Sequence, residues 1–422
     1  MRALNGDRGN MNQTTYTARW IFPIDAPPLE RGTITIRADK IVAVEPHGMR
    51  AADIDLGNVA ILPGFVNAHT HLDLTGARGL TLPSLHWGRG AGGEGDEAPD
   101  FTQWLRRVIA FQRSRTPEQV QADIAAGIAE CLRFGTTLIG DISAGGASLG
   151  QMLAATCRAV VFFELLGLTK KRVPQSRNEA LAWMNRPSSR DGCIAGFSPH
   201  APYSVRSTLY RMINLPGIPI ATHLAETKAE LELLRSHTGP FVDFLKELNV
   251  WDPSGLITDP LDVVRFFQRG IFVHGNYLDP ATPFLPTQTL VVCPRTHAAF
   301  GHSHHPFPKM HVRVALGTDS LASNPDLDIL AEARFLRQHY PEVEPATLLR
   351  MLTLNGAEAL GFADATGSLT RGKSADLVVL PLPAEERSDP HDLVLASTLP
   401  VSGVMFCGAW MEAVIRRSET VI

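Results

Sequence analysis

Pro63-Gly64-Phe65-Val66-Asn67-Ala68-His69-Thr70-His71 closes the apolar run 59–66 with two histidines spaced as His-x-His. Side chains alternate along an extended strand, so His69 and His71 fall on the same side of it. Two imidazoles there can grip one metal ion. Such a pair also arises by chance. It gains meaning because Thr222-His223-Leu224-Ala225-Glu226, Val273-His274-Gly275-Asn276 and Gly317-Thr318-Asp319-Ser320 each follow a short apolar run as well. The chain carries the parts of a metal-dependent hydrolase.

Working outward, one unit recurs between residues 59 and 320: an apolar β-rich run, a polar or glycine-bearing end, then a helical pattern. The runs are 59–66, 136–139, 159–163, 193–197, 218–221, 271–273, 290–292 and 312–316. Helix-like stretches lie between them, at 101–113, 117–134, 149–157, 179–184, 204–212 and 227–248. Eight strands alternating with helices predict the α/β class and a closed (β/α)8 TIM-type barrel. His69 and His71 end the first run, His223 the fifth, His274 the sixth and Asp319 the eighth. In such barrels the site lies at the C-terminal strand ends, so these residues are expected on one rim.

The flanks do not fit the barrel. Residues 33–44 read as a strand and turn, 369–380 as a turn and strand, and 401–414 adds β-like sequence. The expected division is a small β-sandwich built from both chain ends (11–60 and 367–422) and a barrel over 61–366. Two unrelated β-appendages are the alternative. Residues 1–10 are polar, and Met11 precedes the first structured-looking stretch, so the leader reads as a disordered tail or a misassigned start, Met1 or Met11. The glycine-rich stretch 81–99 reads either as a lid over the active rim or as a surface insertion.

Bulk properties narrow the function. The chain has 422 residues, 44% hydrophobic and 19% charged, which is ordinary globular composition. A net charge of -4 without a basic stripe argues against a nucleic-acid polymer as partner. Five scattered cysteines without a CxxC pair read as reduced thiols of a cytoplasmic protein. No segment has the length of a membrane span, and no apolar signal core is evident.

The motifs resemble the amidohydrolase superfamily, in its cytosine deaminase-like and chlorohydrolase-like branch. The residues that carry the likeness are 63–71, Ser198-Pro199-His200-Ala201-Pro202-Tyr203, Thr222-His223-Leu224-Ala225-Glu226-Thr227, His274-Gly275, Cys293-Pro294, Gly317-Thr318-Asp319-Ser320 and Gly372-Lys373-Ser374-Ala375-Asp376-Leu377. Within the branch, His69-Thr70-His71-Leu72-Asp73-Leu74 with Trp104-Leu105 is similar to aminodeoxyfutalosine deaminases. His200-Ala201-Pro202-Tyr203 is similar to deaminases of methylthioadenosine and S-adenosylhomocysteine. The branch usually has Cys-Pro-x-Ser-Asn after the seventh strand, and this chain has Cys293-Pro294-Arg295-Thr296-His297. That departure bears on the substrate more than on the reaction.

The resemblance assigns metal binding to His69, His71, His223 and Asp319. Three neutral imidazoles and a carboxylate suit Zn²⁺, or alternatively Fe²⁺, with a position left for water. Two-metal members carry a carboxylated lysine at the fourth strand. Here Ser198-Pro199-His200 stands there, and Lys170 and Lys171 follow the third strand, so one divalent metal is expected. Glu226 corresponds to the proton-shuttling glutamate, His274 to the group that holds the water, and Asp319 to its proton acceptor. As a bland reading, Glu226 is an acid favoured at a helix start. His200, Glu164, Asp73, Trp87 and Arg295 are candidate substrate contacts, with a structural ion pair as the other reading of Glu164. The cluster His297, His302, His304 and His305 reads as a polar loop rather than a second metal site, because Gly301 and Pro306 interrupt it.

The implied activity is deamination of an aminopurine nucleoside or related amino-heterocycle, with aminodeoxyfutalosine, and so menaquinone biosynthesis, favoured. A chlorohydrolase or amidohydrolase acting on a heterocycle is the alternative. The zinc deaminases that use H-x-E with P-C-x-x-C are excluded, since no P-C-x-x-C occurs. A catalytically silent binding protein would be expected to lack one of the six core residues, and none is missing. The implied partners are a small-molecule substrate and, by resemblance, a second copy in a homodimer.

Overall fold

The structure is a computed structural model that describes residues 13–80, 100–186, 192–385, 387 and 389–411. The leader 1–10, the stretch 81–99 and with it Trp87 lie outside the described residues. Two compact units emerge, one comprising Met1–Gly64 with Asp364–Ile422 and the other Phe65–Ala363.

In the first unit, the two parts of the chain share one sheet. Its order is Ala409–Trp410, Gly403–Phe406, Leu377–Pro381, Val59–Pro63, Trp20–Ile21, Leu29–Glu30. A second sheet runs Lys40–Glu45, Thr33–Arg37, Gln13–Thr17, Ile54–Asp55. Tyr16, Ile34, Ile36, Ile41, Ile61, Leu377 and Met405, drawn from both sheets, bury their side chains in one apolar cluster. The run 59–66 is therefore two strands rather than one. Val59–Pro63 pairs antiparallel with Leu377–Pro381, and a new strand begins at Phe65. The break falls at Pro63-Gly64, where proline removes a ladder donor and the Gly64 N–H leaves its own strand to donate to Asp376 C=O.

Among its described residues, the second unit contains eight parallel strands in two sheets. One runs Cys193–Pro199, Arg158–Leu165, Thr136–Ser143, Phe65–Thr70; the other runs Ala221–Leu224, Ile271–His274, Thr289–Val292, Arg313–Leu316. Single parallel bridges link Phe197 to Ile220 and Thr70 to Asp319, one at each edge where the sheets meet. Thr136–Ser143 is buried along its whole length and Arg158–Leu165 along nearly all of it. Burial on both faces explains why these strands read as continuous apolar runs without alternation.

Helices follow the strands, with legible starts. Asp100 caps Phe101–Ser114 by accepting from the Thr102 N–H. Thr116 and Gln119 form a capping box ahead of Pro117–Arg133. The stretch 227–248, expected as one helical pattern, is two helices, Lys228–Ser236 and Pro240–Glu247. His237 turns left-handed at φ 56°, and Pro240 has no N–H to continue the ladder.

Gly140 sits inside the second parallel strand, where an added Cβ would lie 2.6 Å from Ala68 C=O and 2.9 Å from Leu360 Cδ2. The backbone oxygen cannot swing aside as a side-chain tip could. Gly140→Ala is expected to cost about 1–3 kcal/mol by overpacking, read as a lower denaturant midpoint with an unchanged slope. An unchanged midpoint would mean that the first two parallel strands can part.

Candidate active site

His69 is the penultimate residue of the first parallel strand, and His71 follows its end. His223 lies within the fifth strand, His274 ends the sixth, and Asp319 follows the eighth. The residues expected at one rim are brought together there. Ligand atoms of His69, His71 and His223 lie within 4.8 Å of one another, the only such three-residue group among the described residues. Asp319 Oδ1 is 3.6 Å from His69 Nε2 and 3.7 Å from His71 Nε2.

The donor set fits a metal. Both ring nitrogens of His69 are buried with no hydrogen-bond partner, which a native core seldom tolerates. His71 Nε2 and His223 Nε2 converge to 3.3 Å. His223 Nδ1 faces the His200 C=O at 2.8 Å. A carbonyl only accepts, so the proton is on Nδ1, and the Nε2 lone pair faces the cluster. Ligation needs neutral imidazoles. Burial, reinforced by the neighbouring rings, pushes His71 down to about 3 and His223 well below the usual histidine range. Burial works to raise Asp319, but the His69 contact and the adjacent rings hold it well below the usual carboxylate range.

Glu226 Oε1 lies 3.5 Å from His274 Nε2. Burial, then the charges of Asp319 and Glu230, push the Glu226 carboxyl well above its ordinary range; burial lowers His274 to about 3. Both shifts favour the uncharged forms, a protonated carboxyl beside a neutral imidazole. The Glu226 backbone is clamped. Glu230 Oε1 accepts from Ala225 N–H at 3.0 Å and Oε2 from Glu226 N–H at 2.8 Å, while Asn276 Nδ2 donates to Glu226 C=O at 3.0 Å. The Thr227 hydroxyl caps the helix through the Glu230 N–H. Ala225, His274 and Asp319 all have left-handed backbones, with φ of 50°, 70° and 60°.

A cavity of about 650 Å³ opens on this rim. Its floor includes His71, His200, His223, Glu226, His274 and Asp319. Leu105, Ile109, Leu168, Leu248 and Val250 contribute apolar wall, and Arg113, Lys171 and Arg172 also line it. Glu164 lines it too, with its carboxylate 3.7 Å from His200 Nε2. A second cavity of similar volume, lined by Gln13, Arg37, Lys40 and Arg371 among others, contains none of the candidate residues.

Two of the proposed substrate contacts are not brought to the cavity. Arg295 is buried, with Nε 2.6 Å from Glu332 Oε1 and a terminal nitrogen 2.6 Å from Asp326 Oδ1; a guanidinium so placed is satisfied by two carboxylates. Asp73 is buried and does not line the cavity; burial and then the Glu164 charge push it up to about 7. In the histidine cluster, His297 and His305 are buried while His304 is exposed and pairs with Glu342. Sequence reasoning missed the clamps Glu230, Asn276 and Asp141, the last of which accepts from the Leu72 N–H just past His71. Only Glu230 had a local signal, the Thr227-x-x-Glu230 capping-box spacing.

Comparison with known proteins gives a consistent set. The family model described as the amidohydrolase family matches residues 60–411. A 5-methylthioadenosine/S-adenosylhomocysteine deaminase of Moorella thermoacetica is 29% identical, over 88% of this chain and 86% of that one. An aminodeoxyfutalosine deaminase of Deinococcus radiodurans is 30% identical, over 80% of each. The fold is shared with Helicobacter pylori aminofutalosine deaminase in complex with methylthio-coformycin (TM-score 0.78, 20% identity, 94% of this chain and 100% of that one). It is shared also with zinc-complexed atrazine chlorohydrolase of Arthrobacter aurescens (TM-score 0.72, 18% identity, 96% and 99%).

Burial pushes Glu164 up to about 7 from its ordinary 4.5. A carboxyl with a raised folded pKa stabilises below its unfolded value and loses that contribution as pH rises through the folded one. Relative to wild type, Glu164→Gln should therefore gain melting temperature as pH climbs from about 4.5 to about 7.5, then run parallel. Curves parallel throughout would show that Glu164 titrates as an ordinary surface acid.

Proposed function

Because the chain belongs to the amidohydrolase family over residues 60–411, we propose that it is a metal-dependent hydrolytic deaminase of aminopurine nucleosides. The observation that carries this reading is the placement of Glu226 beside His274, 3.5 Å apart, next to the His69–His71–His223 group. The favoured substrate is aminodeoxyfutalosine, in menaquinone biosynthesis, with methylthioadenosine and S-adenosylhomocysteine next. Relatives named for these activities match over most of the chain.

His69, His71, His223 and Asp319 would hold one divalent ion, with Zn²⁺ favoured over Fe²⁺. Bound there, it would polarise the reacting water and bring its pKa toward neutrality. Glu226 would donate its proton to the ring nitrogen next to the amino-bearing carbon, making that carbon electrophilic. Asp319, held anionic, would accept a proton from the attacking water and return it to the departing amine, while the remaining hydroxyl proton goes back to Glu226, so that ammonia leaves and a carbonyl remains. His274 would hold the water and then steady the oxygen as charge develops on it. His200 and Glu164 are the substrate contacts that the cavity favours. Lys171 and Arg113 suit a nucleoside whose substituent ends in an anion.

The reading includes closure of the eight parallel strands into a (β/α)8 barrel, supported by the Phe197–Ile220 and Thr70–Asp319 bridges. It also includes a β-sandwich from the two chain ends, supported by the apolar cluster shared by their sheets. No helix among the described residues is long and apolar enough to cross a membrane, in keeping with a cytoplasmic enzyme; a homodimer is the proposed assembly.

The test is ammonia release by zinc-loaded protein from aminodeoxyfutalosine, methylthioadenosine, S-adenosylhomocysteine and adenosine, with amino- and chloro-triazines alongside. Release from a nucleoside supports the reading; chloride release alone transfers it to the chlorohydrolase alternative. Glu226→Gln should lower kcat about 10²–10⁴-fold with one metal equivalent retained, whereas His69→Ala should lose the metal. Two equivalents in active wild type would overturn the single-metal assignment.

A further inference from the structure

His297 stands in the motif Cys293-Pro294-Arg295-Thr296-His297, within the helix Pro294–Ala299 that follows the seventh strand. The mechanism above does not use it. Its ring is buried, with Nδ1 3.0 Å from Asn276 Oδ1 and Nε2 2.7 Å from the Ser303 C=O. Asn276 donates its Nδ2–H to the Glu226 C=O at 3.0 Å. Three links thus run from Ser303 through His297 and Asn276 to the backbone of the residue that would carry the substrate's proton.

We propose that His297 is a positioning residue for Glu226, acting through the side-chain amide of Asn276; this rests on the deaminase reading. The polarity of the chain fixes the argument. Asn276 must present its amide nitrogen to the Glu226 carbonyl, so its oxygen meets His297, and an oxygen there requires a donor. The Ser303 C=O likewise calls for a donor at Nε2, so both contacts are met only by a ring that carries both protons, and the clamp on Asn276 depends on the one at Nδ1. A neighbouring contact shares the geometry: His305 Nε2 lies 2.8 Å from His274 C=O, and its Nδ1 accepts from the Phe307 N–H. The segment after the seventh strand thus grips the end of the sixth at His274 and at Asn276. Without His297, the Asn276 oxygen is left buried and unpaired, its amide is free to turn, and the Glu226 turn loses the tether on its carbonyl side.

Two conservative variants separate this role from simple packing. In His297→Asn the amide nitrogen sits as many bonds from the backbone as Nδ1, so the donor to Asn276 is kept and the reach to Ser303 is lost. In His297→Gln the amide sits where Nε2 does, so the opposite holds. With zinc-loaded protein and the best nucleoside substrate, His297→Ala and His297→Gln should lower kcat about 10–100-fold, with KM and metal content near wild type, and His297→Asn should recover most of the loss. Recovery by glutamine rather than asparagine, a change confined to KM, or three variants with wild-type kcat would overturn the proposal. Nitrogen-15 shifts of the His297 ring in unmutated protein provide a test that depends neither on variant folding nor on turnover. A protonated Nδ1 is expected, and a bare Nδ1 would overturn the clamp. Wild-type protein that binds zinc but releases no ammonia would defeat the deaminase reading instead, and the nitrogen shifts would still decide the clamp.

Discussion

His71 Nε2 and His223 Nε2 approach to 3.3 Å, and the rest of the site is arranged around that approach. In the tautomers that ligation requires, two lone pairs face each other there and repel unless something positive lies between them, and solvation of the rings is largely lost to burial. The protein holds them there by fixing their other ends. His223 is anchored through the His200 carbonyl. The chain after His71 is anchored by Asp141, which takes the Leu72 N–H and is itself held by the Ser148 hydroxyl at 2.5 Å. A cation is then the group that turns an electrostatic conflict into a bonding arrangement.

The same logic extends one layer outward. In the proposed mechanism the Glu226 carboxyl moves a proton and stays free, and the chain positions its backbone instead. Glu230 takes the N–H groups on one side, and Asn276 reaches the carbonyl on the other. Arg295 fills a similar role for the loop beyond Asp319. Its partner Glu332 also receives Asn324 Nδ2, and Asn324 in turn holds the Thr318 carbonyl. A residue that looked like a substrate contact is instead part of the support for a candidate metal ligand.

What the sequence made legible follows from range. His-x-His, the apolar runs and their polar ends are local patterns, and they gave the parallel strands and the rim. The break at Pro63-Gly64 was hidden because both halves of 59–66 are apolar, and only the pairing of Val59–Pro63 with Leu377–Pro381 separates them. The helix break near Gly239-Pro240 had a readable signal that the surrounding apolar periodicity masked. Arg295 with Glu332, and His297 with Asn276, are 37 and 21 residues apart; no spacing rule reaches that far, so their partners emerged only once the fold set the loops side by side.

Three rim positions, Ala225, His274 and Asp319, adopt a left-handed backbone without being glycine, at a cost of roughly 1–2 kcal/mol each. At His274 and Asp319 no amino acid offers both the needed side chain and an easy left-handed turn, so a lineage carrying this chemistry cannot relax them by substitution. Ala225 is different: its methyl has no ligand to hold, and glycine would ease the turn. The freedom of such a protein to drift is therefore uneven, narrowest at two strand ends where conformation and chemistry compete for one residue, and wider at a third where only conformation is at stake.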